Sequence, residues 1–274
     1  MPSLLAAAAS LLVFCAPGYP GTGADAQPLV DDFATATARA AGLPQGSLSA
    51  VYDPDEKSDL ERLARPEAVL AFMPWPFYVQ HAAQLHLVPL VQAEVDPAGA
   101  TQRWTLVAHA GHAAPPAGLA GLNLISTAAY APDFMHSVIA PGPWPAGVTL
   151  TASGQMLSGL RRAANGDAVA LLLDQEQAAA LSGLPFAAQL QAIATSQPVP
   201  VALIAVVGGR LPAARAQAVK AALLKLGATA EGASTLGRLR LKGFVAPNLP
   251  APPAAASTRQ SASGGPVPRA GGDK

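Results

Sequence analysis

Short apolar runs alternate with amphipathic stretches along most of the chain. LLVFC (11–15) precedes AQPLVDDFATATARAAG, where Leu29, Phe33 and Ala36 recur at spacings of four and three. That places them on one helix face, beginning near Ala26, with Gly42 as the stop. SLSAVY (47–52) reads as a strand and DEKSDLERLA (55–64) as a short helix. The acidic start of that helix suits the positive end of its dipole. AVLAFM (68–73) is a buried strand, FYVQHAAQL (77–85) a helix, and LVPLVQAEV (87–95) and QRWTLVAHA (102–110) strands.

The rhythm restarts after GHAAPPAGLAG. LNLIST (122–127) is a strand, followed by a helix around Pro132–Ile139. VTLTA (148–152) leads into SGQMLSGLRRAANG (153–166), a helix with Ser153 as N-cap and Asn165-Gly166 as its stop. AVALLLD (168–174) is a buried strand, QEQAAALSG a helix, and LQAIATS (190–196) and VALIAVV (201–207) strands. LPAARAQAVKAALLKLG (211–227) is an amphipathic helix with Pro in its first turn. Strands alternating with helices predict mostly parallel sheets flanked by helices on both faces. Two such runs, joined by extended stretches near 103–110 and 194–206, predict two lobes and a hinge of two crossing strands.

Both ends of the chain stand apart from this pattern. An apolar run from Leu4 to Ala16 precedes the small-x-small triplet Ala24-Asp25-Ala26, which resembles a signal-peptidase site. The same residues also read as a strand, Leu11–Cys15, feeding a Gly/Pro turn. After Pro247 the sequence is rich in Pro, Ala, Ser and Gly, with no apolar period. Such a segment cannot bury enough surface to offset its ordering entropy, so residues 248–274 are expected to be a disordered tail.

Composition narrows the function classes. Seventeen basic and 17 acidic residues give zero formal net charge, and no basic stripe invites nucleic acid. Charged residues are 12% of the chain, against roughly 25% in ordinary soluble domains. The unbroken apolar stretches fall short of the roughly 18 residues that cross a bilayer. A single cysteine, Cys15, excludes a disulfide framework and reads as a buried strand thiol.

Motifs for catalysis are missing: no Walker loop, no G-x-G-x-x-G, no H-E-x-x-H and no G-x-S-x-G. His109 and His112 lack a third ligand nearby and read as loop residues, and His81 and His86 as a helix end and its exit. No metal and no cofactor is expected. The chemistry sits instead at strand-to-helix junctions: GYPGTG (18–23), MPWPFY (73–78), STAAY (126–130), TASGQ (151–155) and Asp174-Gln175. In open α/β sheets these carboxyl ends face the binding crevice, where helix N–H groups and hydroxyls suit an anion. Each Ser or Thr alone is more simply a helix cap, and Asp174 is balanced between cap and ligand.

In the order of its elements the chain resembles the solute-binding proteins of phosphate, phosphite and phosphonate ABC transporters, a branch of the type 2 periplasmic-binding fold. The resemblance runs over roughly residues 11–247. LVFCAPGYPG takes the place of the family's opening strand and loop, and PEAVLAFMPWPFYVQHA resembles the segment where a strand ends at a ligand-facing aromatic. WTLVAHAG…LAGLNLIST resembles the crossing strand and the entry to the second lobe, LRRAANGDAVALLLD its V-x-x-G-x-V-D-A strand, and SQPVPVALIAV the return to the first lobe. Of the family's S-T-S-G only Ser126 and Thr127 carry over. Trp104 stands where the family has Tyr on the crossing strand, and Gly118 where it has an acid.

The resemblance implies a two-lobed receptor. Residues 1–10 are a signal remnant or extension, 11–108 with 200–247 form lobe 1, and 109–199 lobe 2. It assigns Leu11–Cys15 to the first sheet and implies periplasmic localisation. The ligand-binding set expected from it and from the junctions is Tyr19, Thr22, Trp75, Phe77, Trp104, Ser126, Thr127, Tyr130, Ser153 and Asp174. Trp75 and Trp104 are expected to face Ser126 and Thr127, at a helix N-terminus, across the hinge. The implied function is capture of a small oxyanion, such as a phosphonate or phosphate, by a monomer that delivers it to a membrane permease. A sensory receptor feeding a signalling partner is the alternative, and an enzyme on this fold ranks below both.

Overall fold

A computed structural model describes residues 10–19 and 21–250. The first strand, β1 (Ser10–Cys15), is followed by α1 (Gly23–Ala40), β2 (Leu48–Asp53), α2 (Glu56–Leu63), β3 (Ala68–Pro74), α3 (Trp75–Leu85) and β4 (Val88–Val95). A short β5 (Thr101–Gln102) leads to β6 (Thr105–His109), β7 (Asn123–Ser126), α4 (Pro132–Ile139), β8 (Thr149–Ala152), α5 (Met156–Ala164), β9 (Val169–Leu173), α6 (Gln175–Ala179) and β10 (Leu190–Thr195). The chain returns through β11 (Val199–Pro200) to β12 (Ala202–Val206), α7 (Ala213–Lys225), α8 (Ala230–Arg238) and β13 (Leu241–Val245).

Two sheets result. Lobe 1 has the order β13-β4-β12-β3-β1-β2, and lobe 2 the order β10-β6-β9-β7-β8. In lobe 1, β12 and β13 run against the other strands; in lobe 2 only β6 does. This is the two-lobed, mostly parallel architecture of a type 2 periplasmic-binding fold.

β1 lies between β2 and β3, parallel to both. Its alternation serves both faces of the sheet: Val13 and Cys15 join one apolar cluster, Leu12 and Phe14 the other. A cut after Ala26 would remove this interior strand, so the strand reading of 11–15 holds. Leu203 and Ala205 of β12, Trp104 of the crossing segment, and Phe134 and Leu124 of lobe 2 belong to the same cluster as Val13, which packs the lobes against each other.

The crossing differs in detail from expectation. β6 already belongs to the second sheet, so the chain leaves lobe 1 between Val95 and Thr105 rather than after residue 108. The two crossings pair with each other there, Gln102 opposite Val199 and Thr101 opposite Pro200. That two-stranded link is the hinge.

Other local departures have plain causes. α1 begins at Gly23 rather than Ala26, because Thr22 caps it by accepting from Asp25 N–H. α5 begins at Met156, not after a Ser153 cap; the Ser153 hydroxyl accepts from Gln155 N–H and bends the loop instead. α8 and β13 were not expected from the sequence, although α8 is amphipathic, burying Gly232, Thr235 and Leu236. Gly232 is required by packing: a Cβ there would lie 1.9 Å from the Leu226 carbonyl oxygen. The body also extends past Pro247. Asn248 N–H donates to Gln92 (3.2 Å) and Leu249 packs on the core, so a tail starting at 248 starts too early. The expected signal remnant, apart from Ser10, and tail residues 251–274 lie outside the described residues.

Candidate functional site

The ends of β1, β3 and β7 meet where the two lobes close. Between them lies a small cavity of about 10 Å³. Pro17 and Tyr19 line it from the loop after β1, and Pro74 and Pro76 from the β3–α3 junction. Trp104 lines it from the hinge, and Thr127, Ala128 and Tyr130 from the turn after β7. The prolines flank Trp75 at the start of α3, where a missing N–H costs nothing. They make that wall rigid and free of donors.

The lobes touch directly beside the cavity. A Cβ on Gly18 would stand 2.5 Å from the Thr127 carbonyl oxygen, and Gly18 itself has φ +80°. Only glycine allows both that backbone and that approach. Farther out, Asp133 N–H of α4 donates to Gln80 of α3 (3.0 Å), and Arg240 faces Glu176 (3.5 Å).

Five buried side-chain polar atoms have no hydrogen-bond partner among the described residues: Thr37 Oγ1, both Asp59 carboxyl oxygens, Trp104 Nε1 and Tyr130 Oη. Buried polar groups are normally satisfied, so these are informative. Trp104 and Tyr130 both border the interlobe cavity. Trp104 is 2% exposed and is held edge-on against Phe134, with ring centroids 5.0 Å apart. Its backbone N–H is fixed by the Ser196 hydroxyl at 2.9 Å. Its indole N–H is therefore presented by a rigid frame.

The surroundings of the Tyr130 and Tyr19 hydroxyls are acidic. Burial pushes the Tyr130 phenol well up, with Tyr19, Cys15, Glu56 and Asp59 adding in that order. Asp59 lies on α2 and is fully buried. Its carboxyl is pushed up to about 8, chiefly by burial; the Cys15 thiol opposes this, Asp53 and Asp55 reinforce it, and Arg62 opposes it. Burial and then Asp59 also raise the Cys15 thiol. The outer face of Tyr19 stays in solvent (46% exposed) while its hydroxyl end sits among protein atoms. Desolvation, then Asp174, pushes that hydroxyl up to about 12.

The cavity gathers only part of the expected set: Tyr19, Trp104, Thr127 and Tyr130. The others are used by the fold. Thr22 caps α1, its hydroxyl donating to Asp25 at 2.7 Å. Trp75 is 5% exposed and stacks on Tyr78, and Phe77 is fully buried against His81. The Ser126 hydroxyl has its one proton committed, donating to the Leu172 carbonyl (2.8 Å) and accepting from Ala128 N–H (3.1 Å). Neither Ser126 nor Thr127 is at a helix N-terminus, since α4 begins at Pro132. Ser153 holds its own loop, and Asp174 forms a capping box with Gln177.

Asp59 escaped the reading from sequence, although one signal was there. It falls four residues before Leu63 on the only buried face of α2, a carboxylate in a core position. Prolines 17, 74 and 76 carry no chemical signature and were visible only as loop markers. No group of three or more potential metal ligands occurs among the described residues, and none of their helices is long and apolar enough to cross a membrane. An open groove by Arg39 and Leu48 on lobe 1 is larger, about 170 Å³, but Arg39 is committed to Glu231 at 2.6 Å.

The comparisons with known proteins agree with this geometry. The family model for the periplasmic phosphonate substrate-binding protein of ABC transporters matches residues 24–250. No protein of curated function matches the sequence. XAC2383 from Xanthomonas citri, solved bound to a chloride ion, is 15% identical with a TM-score of 0.66 over 87% of this chain and 92% of its own. PhnD1 from Prochlorococcus marinus, in complex with methylphosphonate, is 13% identical with a TM-score of 0.57 over 87% and 92%. A binding-protein component of an ABC phosphonate transporter from Pseudomonas aeruginosa is 15% identical with a TM-score of 0.56 over 87% and 82%. At these identities the likeness is one of fold.

Proposed function

Because the chain belongs to the phosphonate-binding family of periplasmic substrate-binding proteins of ABC transporters, we propose that it captures a small oxyanion of the phosphonate or phosphate class between its lobes. It then hands the ligand to a membrane permease. The family is one of binding proteins, and capture needs no covalent step. The lobes rotate about the β5–β11 link, and the ligand favours the closed form because only there can groups of both lobes reach it.

The observation that carries this reading is the pair of orphaned donors. Trp104 Nε1 from the hinge and Tyr130 Oη from lobe 2 border one interlobe cavity without protein partners. A ligand oxygen accepting from both would satisfy them and join the two elements. The Thr127 hydroxyl and the Tyr19 phenol stand at the same cavity as further donors.

Calorimetry with methylphosphonate and with inorganic phosphate tests this on the full chain and on Trp104→Phe and Tyr130→Phe. Each variant deletes one hydrogen bond while keeping an aromatic ring, so each should weaken binding by roughly tenfold, about 1.4 kcal/mol. Unchanged affinity in both variants would place the ligand elsewhere.

A further inference from the structure

The cleft offers donors but no positive charge. None of the eight residues lining the cavity is charged. Acids stand behind the donors on both sides. Glu56 and Asp59 of α2 act on the Tyr130 hydroxyl, and Asp174 and Glu176, at the head of α6, act on Tyr19. The neighbouring basic side chains are directed elsewhere. Arg62 binds Asp53 (2.7 Å), His81 faces Glu56 (2.8 Å), and Arg240 reaches Glu176. Arg103, next to Trp104 in the chain, donates to the Ser196 carbonyl at 2.7 Å.

Electrostatics then discriminates among oxyanions. Desolvation cost grows with the square of the ligand's charge, and repulsion from fixed acids grows in proportion to it. Neutral donors return far less for a second charge than a guanidinium would. The space adds a size limit, since the cavity of about 10 Å³ holds a single water at most and the lobes must part to admit even a small anion.

We propose that the site selects a compact oxyanion carrying no more than one negative charge, one of whose oxygens bridges Trp104 Nε1 and Tyr130 Oη, and that it rejects the dianion. This rests on the oxyanion-receptor reading above and specifies which ionic form is taken. Asp59 works in the same direction. Cys15 of β1, Tyr52 and Asp53 of β2, Asp55, Glu56 and Arg62 at or on α2, and Tyr130 from lobe 2 face the cluster around it. Protonated, it adds no charge of its own; ionised above about 8, it adds one more charge behind Tyr130.

Methylphosphonate and methanesulfonate share a shape but not a charge. The phosphonate is chiefly a monoanion at about pH 5.5 and a dianion at about pH 9, while the sulfonate stays a monoanion throughout. Calorimetry at both values on the full chain should show methylphosphonate weakening by tenfold or more toward high pH. Methanesulfonate should weaken less, and in Asp59→Asn its affinity should become independent of pH. Should that variant not fold, the comparison of the two ligands on the native chain decides alone. Equal or tighter binding of methylphosphonate at high pH overturns this inference and leaves the receptor reading intact. If neither ligand nor inorganic phosphate binds at either pH, the receptor reading fails and the inference with it.

Discussion

Gly18→Ala is expected to weaken ligand capture by holding the lobes apart. The added methyl would lie 2.5 Å from the Thr127 carbonyl oxygen, whereas ordinary contact begins at 3.4 Å. The lobes must therefore separate locally by about 0.9 Å, the difference between those two distances. Thr127 and Gly18 are both backbone contacts here, so no side-chain rotation can relieve the clash. A hydrogen bond stretched from about 2.9 to about 3.8 Å is no longer one. A ligand held by both lobes would lose the bonds to one of them. Two such bonds amount to about 2 kcal/mol, or roughly 30-fold in affinity.

The same substitution also strains the backbone, because Gly18 has φ +80°. That costs a residue with a Cβ about 1–2 kcal/mol. The strain acts on open and closed forms alike, so it lowers stability without touching affinity. Gly42→Ala separates the two effects: Gly42 has φ +65° and nothing within 4 Å of an added Cβ. Denaturation should show a comparable loss of stability in both variants. Calorimetry with methylphosphonate should show a loss of affinity in Gly18→Ala alone. Equal affinities in the two variants would mean that the lobes do not close onto this contact.

Asp59→Asn should flatten the pH dependence of stability. A carboxyl raised to about 8 in the folded protein keeps a proton that the unfolded chain, with an ordinary value near 3.8, has lost. The folded state binds more protons between those values, so stability is full below the lower one and falls as pH rises through the window, by up to about 1.4 kcal/mol per unit. Urea denaturation between about pH 5 and about pH 8 should show that slope in the native chain and little of it in the variant; equal slopes would refute the assignment. A chain starting at Gln27 should show no cooperative unfolding, because it lacks β1 and its four buried side chains, each worth about 1.5–3 kcal/mol against a whole margin of about 5–15. A sharp thermal transition from that chain, followed by circular dichroism, would show that the strand is dispensable.

The fold was legible because its signal is redundant. LLVFC, AVLAFM and AVALLLD are apolar on both faces, as interior strands of a covered sheet must be, and they became β1, β3 and β9. Where one signal stood alone, it misled. Ser153 before an amphipathic run looks like a cap, yet the helix waits until Met156. QRWTLVAHA reads as one strand, yet the chain crosses between lobes inside it, because hydrophobicity does not say which sheet a strand will join. α8 escaped the reading although its buried face is periodic, because that face carries Gly232 and Thr235 beside a single large apolar residue, Leu236.

The site was half legible, and the division has a physical reason. A hydroxyl at a strand end is chemically able to bind an oxyanion or to satisfy the backbone, and the sequence is the same in both cases. Ser126, Thr22, Ser153 and Asp174 all took the second role, as local hydrogen bonding favours. Trp104 and Tyr130 differ because neither can reach its own backbone: an indole N–H and a phenol oxygen lie too far from their Cα. Buried at a lobe interface, they must find a partner from outside the chain or bear the cost of having none. The residues that best mark this cleft are therefore the long aromatics with one polar atom at the tip, and what marks them is the absence of a partner, a property of the packed structure rather than of the sequence.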